Sequence, residues 1–278
     1  MNLRHTLHLG LSAAAVALAL TAPLAQAHSP FLMPSATAFS GENAFVTVDA
    51  AISTDVFYFE NFPMRLEGLV VTAPDGSKAA PDSMWTGKLR STFDVKLEQK
   101  GTYKFAVVND SMNASWKAGN EMKRARGTAA ELASQIPADA QDLSVSRMQQ
   151  RIETFVTNGK TTTTVFKPMG EGLEMVPQTH PADAFEGEAA TFTLMLDGKP
   201  AANIPVNVIR NNGRYRSNQG ELELRTDKDG KFTVKWPAAG MYWIEAAAGN
   251  MERGKRGGTL AEPMRRASYA ATIEVQHN

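Results

Sequence analysis

The most constraining feature of the chain is a stretch near its C-terminus in which apolar and polar residues alternate. Phe232, Val234 and Trp236 alternate with polar residues, which places the three apolar side chains on one face of a strand. A proline and a glycine interrupt the run, and a second aromatic segment follows over 241–246. We interpret the two segments as a hairpin. Two such strands are not stable alone, so the sequence predicts a second sheet that covers them.

A related pattern occurs in the first half of the chain. Gly101-x-Tyr103 parallels Gly240-x-Tyr242, and an alternating strand precedes each glycine. Further strands are predicted over 44–49, 56–60, 69–73, 92–97, 101–107, 152–156, 173–176, 190–196, 204–209, 221–224 and 269–275. The repeated pattern predicts an all-β fold of two β-sandwich modules whose end hairpins are related.

One helix is predicted among the strands. Thr128 is positioned to cap it, Glu131 lies three residues further on as a capping box requires, and Pro137 ends it. We interpret residues 111–140 as an insertion in the first module that carries this helix. We interpret 161–168 as the final strand and linker of that module.

Length and the N-terminal residues set the domain organisation. The chain has 278 residues, and at about 150 residues per domain it has room for two domains. A basic start, an apolar run over 9–20 and the sequence Ala25-Gln26-Ala27 predict a cleavable signal peptide over 1–27. The alternative is a single membrane anchor. The predicted modules are 28–168, with the helical insertion, and 169–278.

Composition narrows the location and the class of partner. The predicted signal peptide implies export to the periplasm, and no later run is long enough for a membrane span. The formal net charge is zero, which gives no electrostatic reason to expect nucleic acid as a partner. The chain has no cysteine, so disulfides and thiolate metal sites are excluded.

Several motifs are shared with a known family. They are Gly172-Leu-Glu-Met-Val-Pro177, Thr179-His180-Pro181, Arg265-Arg266-Ala-Ser-Tyr269, His28-x-Pro30 and Val71-Thr-Ala-Pro-Asp-Gly76. With them the chain resembles exported bacterial proteins of an uncharacterised domain, often described as the periplasmic component of cobalt or nickel transport systems. The resemblance implies a periplasmic double β-sandwich, Ig-like or transthyretin-like, and a membrane metal transporter or another envelope protein as partner.

Two histidines within these motifs are the candidate metal ligands. Cleavage after Ala27 would make His28 the new N-terminus, where its α-amine and imidazole together form a chelate. His180 would supply a further imidazole. The resemblance implies cobalt or nickel, while nitrogen ligands also suit copper and zinc. The alternatives left open are a solvated His28 and a structural, hydrogen-bonding His180.

The sequence contains no recognisable catalytic motif. A nucleophile needs a positioned base, and neither a nucleophile elbow nor a P-loop or zinc-protease motif is present. We therefore expect a protein that is not an enzyme and that binds or delivers a divalent transition metal, cobalt or nickel, for an uptake system. The alternative is a non-catalytic interaction or structural module of the envelope that binds a partner protein through sheet edges or through the basic loop 253–266.

Overall fold

A computed structural model describes residues 28–215, 220–252 and 254–278. The predicted signal peptide lies outside these residues. The described strands are β1 (Ser29–Pro34), β2 (Ala38–Phe39), β3 (Phe45–Ser53), β4 (Phe62–Pro63), β5 (Leu69–Thr72), β6 (Lys78–Ala79), β7 (Ser83–Thr86), β8 (Ser91–Lys96), β9 (Gly101–Ala118), β10 (Glu121–Gly127), β11 (Gln141–Asn158), β12 (Leu173–Pro177), β13 (Ala189–Leu196), β14 (Lys199–Pro200), β15 (Pro205–Arg210), β16 (Leu222–Arg225), β17 (Lys231–Lys235), β18 (Gly240–Gly249) and β19 (Met264–Val275). Helix α1 spans Ala129–Gln135, and short 3-10 helices span Thr164–Phe166, Pro181–Asp183 and Gly213–Tyr215.

The described strands form three sheets. The N-terminal sheet has the order β1-β3-β8-β7, with β4 paired to β3. The central sheet has ten strands in the order β16-β15-β18-β19-β11-β9-β5-β6, with β10 paired to β9 and β2 to β11. The C-terminal sheet has the order β12-β13-β14, with β17 paired to β13. The central sheet therefore contains strands from both halves of the sequence.

The two smaller sheets cover opposite faces of the central sheet. Side chains alternate between the faces of a strand. On β18, Tyr242 and Ile244 join the core under the C-terminal sheet, while Trp243 between them joins the core under the N-terminal sheet. On β11, Phe155 and Val156 divide between the two cores in the same way. The predicted all-β, two-sandwich fold is confirmed, and the two sandwiches share their middle sheet.

A parallel strand pair joins the two halves of the chain. β11 runs parallel to β19, from Ser146 opposite Met264 to Thr154 opposite Thr272. On its other edge, β11 pairs with the long strand β9 in the antiparallel direction. The sequence boundary predicted between residues 168 and 169 stays a prediction, because the shared sheet runs through both predicted modules.

The predicted end hairpins are wrong in their pairing. β17 pairs with β13 in the C-terminal sheet, whereas β18 pairs with β15 and β19 in the central sheet. The connection from β17 to β18, which ends at Gly240, therefore carries the chain from the C-terminal sheet to the central sheet. The connection from β8 to β9, which ends at Gly101, carries it from the N-terminal sheet to the central sheet. We call each connection a glycine corner. Gly101 and Gly240 have φ of 132° and 139°. The Tyr103 hydroxyl accepts from the Gln99 N–H at 2.7 Å, and the Tyr242 hydroxyl donates to the Ala238 carbonyl at 2.7 Å.

Three other predictions are corrected by the structure. Residues 56–60 form a loop rather than a strand, and Phe57 has a φ of 69°. Residues 161–168 contain a 3-10 turn whose Val165 and Phe166 are buried, rather than a final strand. Half of residues 111–140 is strand: β9 runs on to Ala118, and β10 adds a further strand before the helix. These strands continue the central sheet rather than forming an irregular insertion.

The predicted helix and its capping box are confirmed. Thr128 Oγ1 accepts from the Glu131 N–H at 3.2 Å, and the Glu131 carboxylate accepts from the Thr128 N–H at 2.7 Å. Leu132 is fully buried and packs in a small core against Trp116 and Val145. This core fixes α1 to one face of the β9–β10–β11 ribbon. None of the helices in the described part of the chain is long and apolar enough to cross a membrane.

Candidate functional site

His28 lies exposed immediately before β1. Its imidazole meets the ring of Phe62 edge-on, with the ring centroids 5.6 Å apart. Phe62 itself is 55% exposed. The position is accessible to a ligand, and it stands at the end of the N-terminal sheet beside the start of β4.

His180 is half-buried and both of its ring nitrogens are engaged. Nδ1 accepts the N–H of Ala182 at 3.0 Å, which leaves the ring proton of the neutral imidazole on Nε2. Nε2 lies 2.9 Å from Thr102 Oγ1 and 3.3 Å from the Thr162 carbonyl oxygen. Burial lowers the pKa of His180, against the hydrogen bond to Thr162, which raises it. The contacts are those of a structural histidine that caps the 3-10 helix at Pro181–Asp183.

The two predicted metal ligands lie on opposite sides of the central sheet. His28 precedes β1 of the N-terminal sheet. Tyr103 points into the core under that sheet, so its neighbour Thr102, which bonds His180, faces the opposite side. Stacked sheets are about 10 Å apart, whereas two ligands at ~2.0–2.1 Å from one metal lie within about 5 Å of each other. The structure does not bring His28 and His180 to one metal.

The carboxylates near the two histidines do not complete a ligand set. Within residues 28–215, 220–252 and 254–278, no group of three His, Asp or Glu side chains is arranged to hold a metal ion. Glu60 accepts hydrogen bonds from Ser53 and from the Asp55 N–H and pairs with Arg214. The Asp55 N–H bond is the main cause that lowers the pKa of Glu60. Metal ligation by His28 stays a prediction.

A cleft beside the N-terminal sheet has a volume of about 970 Å³. One wall consists of the end of that sheet, including Phe62, Met64 and Arg65. The facing wall belongs to the central sheet and includes Met148 and Arg126. This volume lies at the upper end of the range that small-molecule pockets span. The cleft therefore has room for part of a partner molecule, with apolar and cationic groups on both walls.

The cleft continues onto an extension of the central sheet that we call the arm, residues 109–150. Here β9, β10 and β11 run on beyond the N-terminal sheet. The arm has one covered face, where α1 packs on the small core around Trp116. Its other face carries a second cavity of about 420 Å³. Arg126 lines both this cavity and the cleft, so the two form one continuous surface.

The open face of the arm is built from two rows of polar side chains across its three strands. Arg124 lies opposite Ser115, which lies opposite Ser144. The next row is Arg126, Asn113 and Ser146. All six line the 420 Å³ cavity. Alternation explains the arrangement, because the residues between them turn to the covered face.

The charge on the open face is positive. Arg124 and Arg126 are exposed, and neither forms an ion pair with any carboxylate of the described residues. On the covered face of the same strand, Lys123 and Glu121 neutralise each other at 2.6 Å. Arg256 reaches the open face and donates to Ser115 Oγ at 3.2 Å. The surface is suited to an anionic ligand.

Sequence reasoning missed this site for a physical reason. Residues 109–127 are polar on every second position because one face of the arm stays open, and this polarity resembles an irregular loop. The sequence pattern that could have identified the strand lies at the intervening positions, where Met112, Ala114 and Trp116 alternate with polar residues. That pattern indicates a strand with one covered face.

Likeness to solved structures is weak. The D0-D1 domain of intimin is 12% identical, covering 87% of this chain and 97% of that chain, with a TM-score of 0.21. The ligand-binding domain of human OSCAR is also 12% identical, covering 89% and 99%, with a TM-score of 0.21. The TIE protein of Bacillus anthracis is 11% identical, covering 90% and 40%, with a TM-score of 0.17. These values say nothing about what the present chain binds.

Comparison by sequence gives the family. No curated protein matches the chain. The model of one family matches residues 25–249, which is most of the sequence and includes the N-terminal sheet, the arm and most of the C-terminal half. The chain belongs to the family described as domain of unknown function DUF4198.

Proposed function

We propose that the protein is a non-catalytic binding module of the cell envelope that holds a partner in the cleft and along the open face of the arm. The observation that carries the proposal is the continuous surface formed by the 970 Å³ cleft and the 420 Å³ cavity, joined at Arg126. A polar sheet face that is left open while its reverse is covered by a helix is a feature that binding explains.

The chemistry of the surface supports binding rather than catalysis. Its side chains are mainly arginines, hydroxyls, amides and a few apolar groups, with Glu67 as a carboxylate of the cleft, and they recognise a partner by hydrogen bonds, charge and contact area. His180, which is half-buried, lies on the other side of the central sheet and has both ring nitrogens occupied. The export predicted from the sequence places the proposed partner in the periplasm or at the envelope surface.

Delivery of cobalt or nickel is the function that the sequence resemblance suggested, and the geometry favours it less. The two predicted ligands do not meet, and His28 retains a role only as a ligand that acts with its own α-amine. The proposed binding module and a metal at His28 are compatible, because His28 lies beside Phe62 at the mouth of the cleft.

Site-specific photo-crosslinking tests the proposal. A photoreactive residue placed at Ser146, on the open face, should give discrete adducts in cells that export the protein. The same residue placed at Lys235, exposed on β17 of the C-terminal sheet, is the matched control. Adducts that form equally at both positions, or at neither, would contradict the proposal.

A further inference from the structure

We propose that the cleft partner is recognised by strand addition: an extended peptide with acidic residues at alternate positions pairs with the free edge of β10 and places its carboxylates on Arg124 and Arg126. This inference rests on the proposed function and names the chemistry of the ligand for the same site. It follows from the edge of β10, the spacing of the two arginines and the absence of carboxylate partners for them among the described residues.

The outer edge of β10 pairs with no other described strand. β10 pairs with β9 alone, in register from Glu121 opposite Ala118 to Gly127 opposite Met112. α1 packs on the covered face of the ribbon rather than in the plane of the sheet. The edge therefore presents backbone donors and acceptors of the kind that a further strand satisfies.

The turn of the hairpin decides which backbone groups face outward. Only two residues, 119 and 120, separate β9 from β10, and Gly119 has a φ of 61°. The residues that flank a two-residue turn exchange hydrogen bonds across the hairpin, and pairs alternate from there. The odd-numbered residues of β10 therefore bond to β9. The N–H and C=O groups of Met122, Arg124 and Arg126 point away from β9, to the free edge.

The same residues carry the positive charge of the open face. Arg124 and Arg126 both line the 420 Å³ cavity. In a strand added to β10, the residues opposite them would place their side chains on the same face, with Cβ atoms about 4.5–5.5 Å from those of the arginines. Alternate residues of a strand repeat every ~6.8 Å on both sides. Glutamate or aspartate at every second position therefore meets both guanidinium groups at once, in the fork geometry that favours carboxylates.

The backbone argument selects a peptide over an acidic glycan. Either ligand would supply anionic groups for the two arginines. Only a peptide also supplies alternating N–H and C=O groups at the period that Met122, Arg124 and Arg126 present. The facing wall carries one cationic and one acidic side chain, Arg65 and Glu67. The net positive charge of the site therefore comes from the arginines of β10.

The experiment is a fluorescence anisotropy titration with the full chain beginning at His28. The probe is a labelled octapeptide in which glutamate alternates with threonine and valine. Control probes are the same peptide with lysine for glutamate, the same peptide with N-methylated amides on its paired edge, and polygalacturonate as an acidic glycan. We expect the acidic peptide alone to bind, with an affinity that falls as salt is raised.

Matched variants assign the binding to β10. Arg124→Glu with Arg126→Glu should weaken binding by at least about tenfold and should allow the lysine peptide to bind instead. Lys231→Glu with Lys235→Glu makes the same change of charge on β17 and should leave the affinity within about twofold. Met122→Pro removes one outward N–H but no charge, and proline is tolerated on an edge strand, so binding should weaken while the fold persists. Unchanged thermal unfolding of each variant confirms the fold.

Several outcomes would overturn the inference. No binding of the acidic peptide does so, as does binding that survives the Arg124→Glu and Arg126→Glu changes. Binding of polygalacturonate or of the N-methylated peptide with full affinity, or indifference to Met122→Pro, would show charge recognition without strand addition. Crosslinking at Ser146 that persists in these cases leaves the binding module standing and removes only the peptide. Loss of both results removes both proposals.

Discussion

The two histidines that the sequence singled out have different surroundings, and this difference decides what each does. His28 is exposed at the end of the N-terminal sheet. His180 lies on the far side of the central sheet. Its Nδ1 accepts the Ala182 N–H, and its Nε2 forms a hydrogen bond with Thr102 Oγ1. A ligand role requires a free nitrogen lone pair, and His180 has already committed its lone pair to a hydrogen bond.

A metal titration separates the two residues. Co(II), Ni(II), Cu(II) and Zn(II) are titrated by calorimetry into protein whose N-terminus is confirmed as His28. Any metal that binds tightly should do so through the amine and imidazole of His28. His28→Ala should then abolish binding. His180→Ala should leave the affinity unchanged because its imidazole lies across the central sheet. Loss of binding in His180→Ala with an intact fold would contradict this separation.

The lowered pKa of His180 predicts a specific dependence of stability on pH. Burial depresses the pKa in the folded state below the ordinary value of about 6.5, so the unfolded chain takes up the proton first. The contribution of His180 to the free energy of unfolding is therefore complete above about pH 6.5 and is lost as the pH falls toward the folded-state pKa.

The measurement is urea unfolding of wild type and His180→Asn at pH 7.5 and pH 5.5. Asparagine keeps a side-chain oxygen for the Ala182 N–H and does not titrate. Wild type should lose more stability than the variant over this interval. An equal loss in both proteins would show that His180 contributes nothing to the pH dependence.

At the scale of elements, the glycine–tyrosine corner is the feature that the sequence repeated and the structure explains. In each half of the chain, the connection between two sheets ends at a glycine with a φ above 130°. The hydroxyl of the tyrosine two residues later forms a hydrogen bond with the backbone of that connection. The corner fixes the path between two sheets, which is why the same pattern occurs before β9 and before β18.

Gly101→Ala tests the corner. A Cβ at Gly101 would lie 2.5 Å from Pro74 Cβ and 2.8 Å from Thr162 Oγ1, and the backbone has a φ of 132°. We expect the free energy of unfolding to fall by about 1–3 kcal/mol. Gly41→Ala is the control, since no atom lies within 4 Å of a Cβ there and its φ is not positive. Similar urea midpoints for the two variants would refute the strain.

At the scale of the whole molecule, the shared central sheet couples the two cores. Trp243 lies on β18 in the C-terminal half of the chain, yet it packs in the core under the N-terminal sheet. Its indole N–H donates to the Pro30 carbonyl at 2.9 Å. On the opposite face of the sheet, Glu153 is buried with Lys104 and Arg151 and accepts from the Tyr269 hydroxyl at 2.8 Å. Burial and the Glu153 charge raise the pKa of Tyr269.

This coupling predicts a single unfolding transition. A variant that retains only Trp236 reports the C-terminal core, and one that retains only Trp243 reports the N-terminal core. Within each variant, the urea midpoint by fluorescence should coincide with the midpoint for loss of strand signal by circular dichroism. A fluorescence midpoint that differs from the circular-dichroism midpoint of the same variant would show that the halves unfold independently across the β11–β19 pair.

The sequence by itself determined the local features of this protein. Apolar residues at every second position placed most strands and their buried faces, because a strand buries alternate side chains wherever it pairs. The capping box of Thr128 and Glu131 determined the helix because it depends on residues three apart. The glycine and tyrosine of each corner were visible for the same reason.

Only the tertiary structure decided which strands pair, which faces stay open and which side chains meet. The sequence pattern of β17 and β18 is the same whether they pair with each other or, as here, with strands of different sheets. His28 and His180 are separated, and Arg124 and Ser144 are brought to one row, by strand pairings between residues far apart in the chain. Such pairings depend on the packing of the whole core, and no local pattern encodes them.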